Sequence, residues 1–295
     1  MTRLPLVILA AGRGSRFGGP KQIAPVGPSG ELLCAYSAHD AARAGFGRIL
    51  VVTGDQLAES IERSLRPVAE ALGVALAIVV QPSPEGTAHA VRCAGAVLRG
   101  PFAVANGDDW YGPAAIRSLA VALSSPGDRH VLVTYPVQNA LSETGGVSRA
   151  LCTLGGDGSL SGIEELREVR RIDGQVVGHR PDGTAVSLGA GDPVSMNLWG
   201  FRPSIIHHLD VRFAAFLRDR VAGSRNEFAV PTTIHALLQE AAIGVDVIMA
   251  GERPFGLTTQ SDLPRIRTRI AQLVASGLYP PDLRSGRATF DTTPD

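Results

Sequence analysis

The sequence predicts an α/β domain on a mixed, mostly parallel sheet flanked by helices. Three observations lead there. Short apolar runs alternate with longer helical patterns through the first 125 residues, the order in which strands joined by crossover helices lie parallel. From about residue 126 the pattern turns β-rich before helices return. No linker, repeat or low-complexity tract divides the chain, and a hydrophobic content of 44% with 19% charged residues is that of an ordinary globular protein.

The first run, Leu4 to Ala10, reads as a buried strand that breaks into the glycine-rich stretch from Gly12 to Lys21. A helical pattern from Glu31 to Ala44 stops at Gly45. Arg48 to Thr53 is the second strand, Gln56 to Leu72 a helix and Val74 to Val80 the third strand. Gly86 to Leu98 reads as a helix, and Phe102 to Asn106 as a fourth strand that ends at Gly107-Asp108-Asp109. Beyond it come a helix at Pro113 to Leu123 and strands at His130 to Val137, Val147 to Leu154, Arg171 to His179 and Val194 to Phe201. Helices over Ser204 to Val221, Val230 to Ala241 and Leu263 to Ser276, with a short strand at Val245 to Met249, complete a domain over residues 1–284. Residues 285–295 form a polar tail.

Composition excludes several classes of protein. Twenty-eight basic and 28 acidic residues cancel, which argues against nucleic acid or an anionic membrane as the main partner. No apolar run is long enough to span a bilayer, and the start of the chain lacks the pattern of a signal peptide, so a cytoplasmic location is expected. Cys34, Cys93 and Cys152 have no metal or redox spacing and read as small buried hydrophobes.

Of the 28 basic residues, Lys21 is the only lysine. An ammonium is a compact point charge that a planar guanidinium does not replace at a tight phosphate site, so a lone survivor inside the glycine stretch reads as functional. Glycines between a strand and a helix let backbone N–H groups approach a phosphate. The stretch is neither a dinucleotide fingerprint, because Phe17 fills the third glycine position, nor a P-loop, because Gln22 follows Lys21. It carries Arg13, Arg16 and Lys21, with no acidic residue from Met1 to Gly30. That is an anion site with several charges to neutralise, such as those of a triphosphate.

The run Leu9-Ala10-Ala11-Gly12-Arg13-Gly14-Ser15-Arg16-Phe17-Gly18-Gly19-Pro20-Lys21-Gln22 resembles the signature of the nucleotidyltransferases that include sugar-1-phosphate thymidylyl-, uridylyl- and guanylyltransferases and the cytidylyltransferases of isoprenoid synthesis. Gln81 to Ala90 resembles the base-recognition segment of the sugar branch, Asn106 to Gly112 the metal-binding strand end, and Val194 to Phe201 a strand of the sugar pocket. The resemblance implies a GT-A-like (Rossmann-like) fold, with residues 1–125 holding the nucleotide and 126–284 the acceptor. It also implies Mg²⁺-assisted transfer of a nucleoside monophosphate from a nucleoside triphosphate to a sugar 1-phosphate, releasing pyrophosphate. Homo-oligomers occur in such families.

By the same resemblance Arg16 and Lys21 are the catalytic cations, with a weaker case for Arg13. Leu9, Ala11, Gly12, Gly14, Gln81, Gly86 and Thr87 are the nucleotide contacts, and Gly146, Glu165 and Asn197 the sugar contacts. Asp108 is the expected metal ligand and Asp109 a supporting or structural acid; as an alternative, Asp108 caps the helix near Pro113. Two departures stand out. Val230 occupies the position of the family's second metal-binding aspartate, which makes Glu227 the candidate second ligand, or with Asn226 a cap for the next helix. Leu166 stands where the family often has a lysine beside Glu165, and Trp199 reads either as a floor for the sugar or as core. A cytidylyltransferase acting on a polyol or aminoalcohol phosphate, and a non-catalytic nucleotide-sensing subunit, are the competing readings.

Overall fold

The computed structural model of the chain describes residues 3–12, 14, 16–143, 145–220 and 227–285. In chain order its elements are β1 (Pro5–Ala10), α1 (Leu33–Arg43), β2 (Arg48–Thr53), α2 (Asp55–Leu72), β3 (Ala75–Val80), α3 (Thr87–Gly95), β4 (Phe102–Asn106), β5 (Asp109–Trp110) and α4 (Pro113–Ser124). There follow β6 (His130–Pro136), β7 (Val147–Leu154), β8 (Leu160–Ile172), β9 (Gln175–His179), β10 (Ala185–Leu188), β11 (Pro193–Phe201), α5 (Ser204–Arg218), α6 (Val230–Gln239), β12 (Val245–Met249), β13 (Phe255–Gly256) and α7 (Leu263–Ala275).

The parallel core is β3-β2-β1-β4, and the apolar runs of β1, β2 and β4 are continuous because both faces of these strands are covered, while β3 is the partly exposed edge. Alternation along β1 sends Leu6 and Ile8 into one core cluster with the inner faces of α1, α2, α4 and α7. Val7 and Leu9 enter a second cluster with α3, α5 and α6. Beyond β4 the same sheet continues antiparallel through β11, β7, β8, β9 and β10, while β6 pairs with β11 on one side and lies parallel to β12 on the other. The expected mixed sheet is therefore parallel in its first half and mainly antiparallel in its second. Eleven strands from both halves form this one sheet, and residues 5 to 249 run through it.

The sheet departs from the sequence reading in one region. β8 carries six charged residues among its 13, and a bulge between Arg167 and Arg170, with Glu168 at a φ of +51°, breaks its alternation. Periodicity therefore misses it. The predicted strand over Arg171 to His179 is instead a hairpin whose turn, Asp173-Gly174, has positive φ at both residues, the geometry of a tight β-hairpin. Glu31 and Leu32, expected to be helical, are extended: Leu32 bridges Pro25, and the Glu31 carbonyl accepts the amides of Val26 and Gly27.

One feature of β11 positions the site. Trp199 to Phe201 pair with β4, whereas Val194 and Ser195 pair with β7. Between them the strand bulges, with Asn197 at a φ of +67°. The sheet thus changes partner where β4 ends, and the gap opens beside Asn106, Asp108 and Asp109.

Candidate active site

A cavity of about 860 Å³ opens at the carboxyl end of the parallel strands, where α/β sheets of this kind bind ligands. Leu9, Ala11, Gly12, Gly14, Arg16, Lys21, Gln81, Gly86, Thr87, Asp108, Glu165, Asn197 and Glu227 all line it. These are residues from six separate parts of the sequence. Gly146 does not reach the wall; its Cα packs on the β8 bulge, where an added Cβ would stand 2.4 Å from the Glu168 carboxylate. Ser148, Arg149 and Ala150 of β7 line the cavity instead. Arg13 and Asn226 lie outside the described residues.

The glycine loop folds on itself. Phe17 and Gly18 donate their amides to the Gly14 carbonyl at 2.9 and 3.1 Å, and Phe17 is buried beneath. Gly14 has a φ of +60°, and a Cβ there would stand 2.2 Å from the Gly19 carbonyl oxygen, so only glycine fits. The buried Gln22 amide donates to the Gly12 carbonyl at 2.7 Å, which closes the loop, and the short 3-10 turn Lys21–Ile23 presents the lysine.

Lys21 forms an ion pair with Asp108 and donates to the Leu257 carbonyl at 3.1 Å. Leu257 in turn donates its amide to the Asp108 carbonyl at 2.9 Å. β13 brings this segment in by pairing with β5, and Gly256 permits the approach, since a Cβ there would stand 2.0 Å from the Asp109 carboxylate. Thr258 completes that wall. Nothing in the local sequence marks 255–258 as part of a site, because its role consists entirely of contacts to residues near 108.

Asp109 accepts from the Asn106 amide at 2.9 Å; burial and the neighbouring Asp108 charge push its pKa up to about 7. Asn106 accepts from the Asn197 amide at 2.8 Å, and the Asn197 carbonyl oxygen accepts from the Trp199 indole at 2.8 Å. Asn197 is thus held on both sides within a network at the cavity wall. Trp199 is fully buried and is core, not a floor for a ligand.

At the other end, Gln81 donates to the Gly86 carbonyl at 3.2 Å. Gly86, at a φ of +122°, is required because a Cβ would stand 2.4 Å from the Phe228 carbonyl oxygen. Its first role is therefore to let the segment 227–229 pack, with Ala88 donating to Phe228 and Phe228 to Glu85. The Thr87 hydroxyl accepts the Val230 amide at 2.9 Å and anchors the start of α6. Val230 is buried there, as an apolar residue in place of an acid must be, and the cap of α6 is Ala229 with no side-chain bond. Glu227 does not cap that helix; it is exposed and lines the cavity. Likewise Gly112, not Asp108, caps α4. Among the described residues no three His, Cys, Asp or Glu side chains gather as a metal cluster.

A sheet whose parallel strands end at a cation-bearing glycine loop facing an aspartate is the arrangement of an NTP transferase domain. The chain belongs to the family of MobA-like NTP transferase domains, whose description matches residues 6–182. Among characterised proteins it is similar to the bifunctional protein GlmU of Hyphomonas neptunium, 36% identical over 169 residues that make up 55% of this chain and 33% of that protein. It is also similar to GlmU of Corynebacterium aurimucosum, 28% identical over 187 residues, 60% of this chain and 37% of that protein. The chain thus spans only between a fifth and somewhat over a third of the length of such relatives. Its fold is shared with the inositol-1-phosphate CTP transferase of T. maritima (TM-score 0.64, 15% identity, 93% of this chain and 97% of that one). It is shared equally with a glucose-1-phosphate thymidylyltransferase, so described, of Bacillus anthracis (TM-score 0.64, 13% identity, 90% and 95%). No helix among the described residues is long and apolar enough to cross a membrane.

Proposed function

We propose that this protein is a nucleotidyltransferase that couples a nucleoside triphosphate to a sugar 1-phosphate, giving a nucleoside diphosphate sugar and pyrophosphate. The observation that carries the reading is the pairing of the only lysine with Asp108 at the end of β4, inside a cavity that also holds Arg16 and Glu165. In the reaction an oxygen of the sugar phosphate attacks the α-phosphorus. A new P–O bond forms as the bond to the bridging oxygen breaks, and pyrophosphate leaves with that electron pair.

No covalent enzyme intermediate is required, so the protein's work is positioning and charge stabilisation. Arg16 holds the departing pyrophosphate, where a guanidinium fork binds two oxygens. Lys21 moves from Asp108 to the phosphates and relieves the repulsion between the α-phosphate and the incoming anion. Gln81, whose amide nitrogen is tied to Gly86, offers its carbonyl oxygen to a base edge. Glu165 is exposed at the cavity wall and accepts from sugar hydroxyls.

The donor set suits Mg²⁺. Asp108 and Glu227 are hard carboxylates on one cavity, and Mg²⁺ is usually held by one or two carboxylates with substrate phosphates and water completing its shell. When bound, the ion would neutralise charge developing on the phosphate oxygens. Glu227→Gln is expected to raise the Mg²⁺ concentration for half-maximal rate and to leave the melting temperature unchanged, because Glu227 caps no helix. A shifted melting point with an unshifted Mg²⁺ curve would show that Glu227 is no ligand.

The reading is tested by crossing UTP, dTTP, CTP, GTP and ATP with glucose 1-phosphate, other aldose 1-phosphates and inositol 1-phosphate, following pyrophosphate release. Turnover with an aldose 1-phosphate is the expected result. Preference for CTP with inositol 1-phosphate would favour the cytidylyltransferase alternative, and nucleotide binding without any release would favour a sensor.

A further inference from the structure

His89 lies on α3 and is nearly fully buried, behind Gln81 and not itself on the cavity wall. Its ring stacks on Phe213 of α5, with centroids 4.5 Å apart and planes within 6° of each other. Phe213 is held in turn by the Arg92 guanidinium above it, which pairs with Asp210. The plane of the imidazole is therefore fixed. At the ring edge, Nδ1 faces two groups at 3.0 Å each, the Gln81 Nε2 and the Ser83 carbonyl oxygen.

One nitrogen cannot serve both. The Ser83 carbonyl only accepts and calls for a hydrogen on Nδ1, whereas the Gln81 amide nitrogen only donates and calls for the Nδ1 lone pair. The other partners decide between them. Ser83 already accepts the Glu85 amide at 2.9 Å, so its carbonyl is satisfied without His89. Gln81 Nε2 has two hydrogens: one goes to the Gly86 carbonyl at 3.2 Å, and the second has the His89 lone pair as its acceptor. A hydrogen on Nδ1 would set two donors against each other, and turning the amide over to escape that would press the Gln81 oxygen against the Gly86 carbonyl. Burial pulls the His89 pKa down, which keeps the ring neutral near pH 7 and leaves it one lone pair to offer.

We propose that His89 is a positioning residue for base selection: by accepting from Gln81 through Nδ1 it locks the Gln81 carbonyl oxygen toward the cavity, so that the site takes bases presenting a ring N–H beside a carbonyl. This rests on the nucleotidyltransferase reading above and deepens it. With both amide hydrogens committed, the oxygen is the one end of Gln81 left for a ligand. Uracil, thymine and guanine carry the matching edge. Cytosine and adenine carry a ring lone pair beside an amino group, and that lone pair meets the fixed carbonyl with the wrong sign. Without His89 the amide is free to turn and serve either edge.

The test compares wild type, His89→Phe and His89→Gln, together with Gln81→Ala and the Gln81→Ala/His89→Phe double variant. Phenylalanine keeps the stack on Phe213 and removes the lone pair, and glutamine offers a carbonyl oxygen in its place. Binding of UTP, CTP, GTP and ATP is measured by calorimetry, and kcat/KM with whichever acceptor turns over. Wild type is expected to prefer UTP to CTP, or GTP to ATP, by about tenfold or more, and His89→Phe to bring that ratio within about twofold of unity. His89→Gln should recover part of the preference. Gln81→Ala should lose it, and adding His89→Phe to Gln81→Ala should change the ratio no further, because the two residues act as one unit. Melting temperatures report folding, and a purely structural loss would weaken all four nucleotides alike. A wild type without preference in either pair, an unchanged ratio in His89→Phe, or an equal further loss in the double variant overturns the proposal. Selective nucleotide binding without turnover of any acceptor would sink the transferase reading and leave the role of His89 standing, whereas a wild type that binds no nucleotide removes both.

Discussion

Lys21→Arg is expected to lose most of its turnover, by about a hundredfold, although the charge is kept. In the folded protein the ammonium is confined between the Asp108 carboxylate and the Leu257 carbonyl. Those two groups are themselves joined through the Leu257 amide and the Asp108 carbonyl, so the space cannot widen without parting β13 from β5. A guanidinium is longer, planar and weakly hydrated, and its charge falls beyond the point where an ammonium would sit between two phosphates. The side chain is only partly exposed and its space is fixed, so the protein should still fold with a stability lower by about 1 kcal/mol. Pyrophosphate release and a melting curve on the same preparation check both halves. Turnover close to wild type would remove the special role of the only lysine.

Asp108→Asn is expected to abolish Mg²⁺-dependent turnover in a protein that still folds. The amide preserves the shape of the side chain and removes the anion that a hard cation requires. The backbone carbonyl of Asp108, which receives the Leu257 amide, is untouched. What the fold loses is the ion pair with Lys21, both of whose side chains are partly exposed, at 19% and 21%, a loss of about 1 kcal/mol or less. Titrating rate against Mg²⁺ in both proteins decides the matter, and an unchanged curve would mean that Asp108 serves the lysine and not a metal.

These two residues were readable without coordinates, for different reasons. Lys21 stands out because arginine fills every other basic position, and Asp108 because an acid ending a buried strand has no packing role. The parallel strands were readable for a third reason: β1, β2 and β4 are buried on both faces, and such strands write themselves as unbroken apolar runs. β8 hid because it leaves the covered part of the sheet, carries charge on its exposed positions, and shifts its own alternation at Glu168. Gly86 is expected from the sequence to let the backbone approach a base, whereas in the fold its conformation is required first by Phe228, a residue far along the chain.

Taken alone, the sequence determined the elements whose signal is local: the glycine loop, the buried parallel strands, the isolated lysine and the acid at a strand end. Only the tertiary structure decided which residues face one another across the site. Leu257 reaches Lys21 from 236 positions away, Arg149 stands opposite Leu166 through strand register, and Gly146 turns to the β8 bulge instead of the cavity. Register and long-range closure depend on how whole elements bury their faces together, and that energy is shared among many side chains. No single position records it, so a residue such as Arg149 reads as an ordinary surface arginine until the sheet that surrounds it has formed.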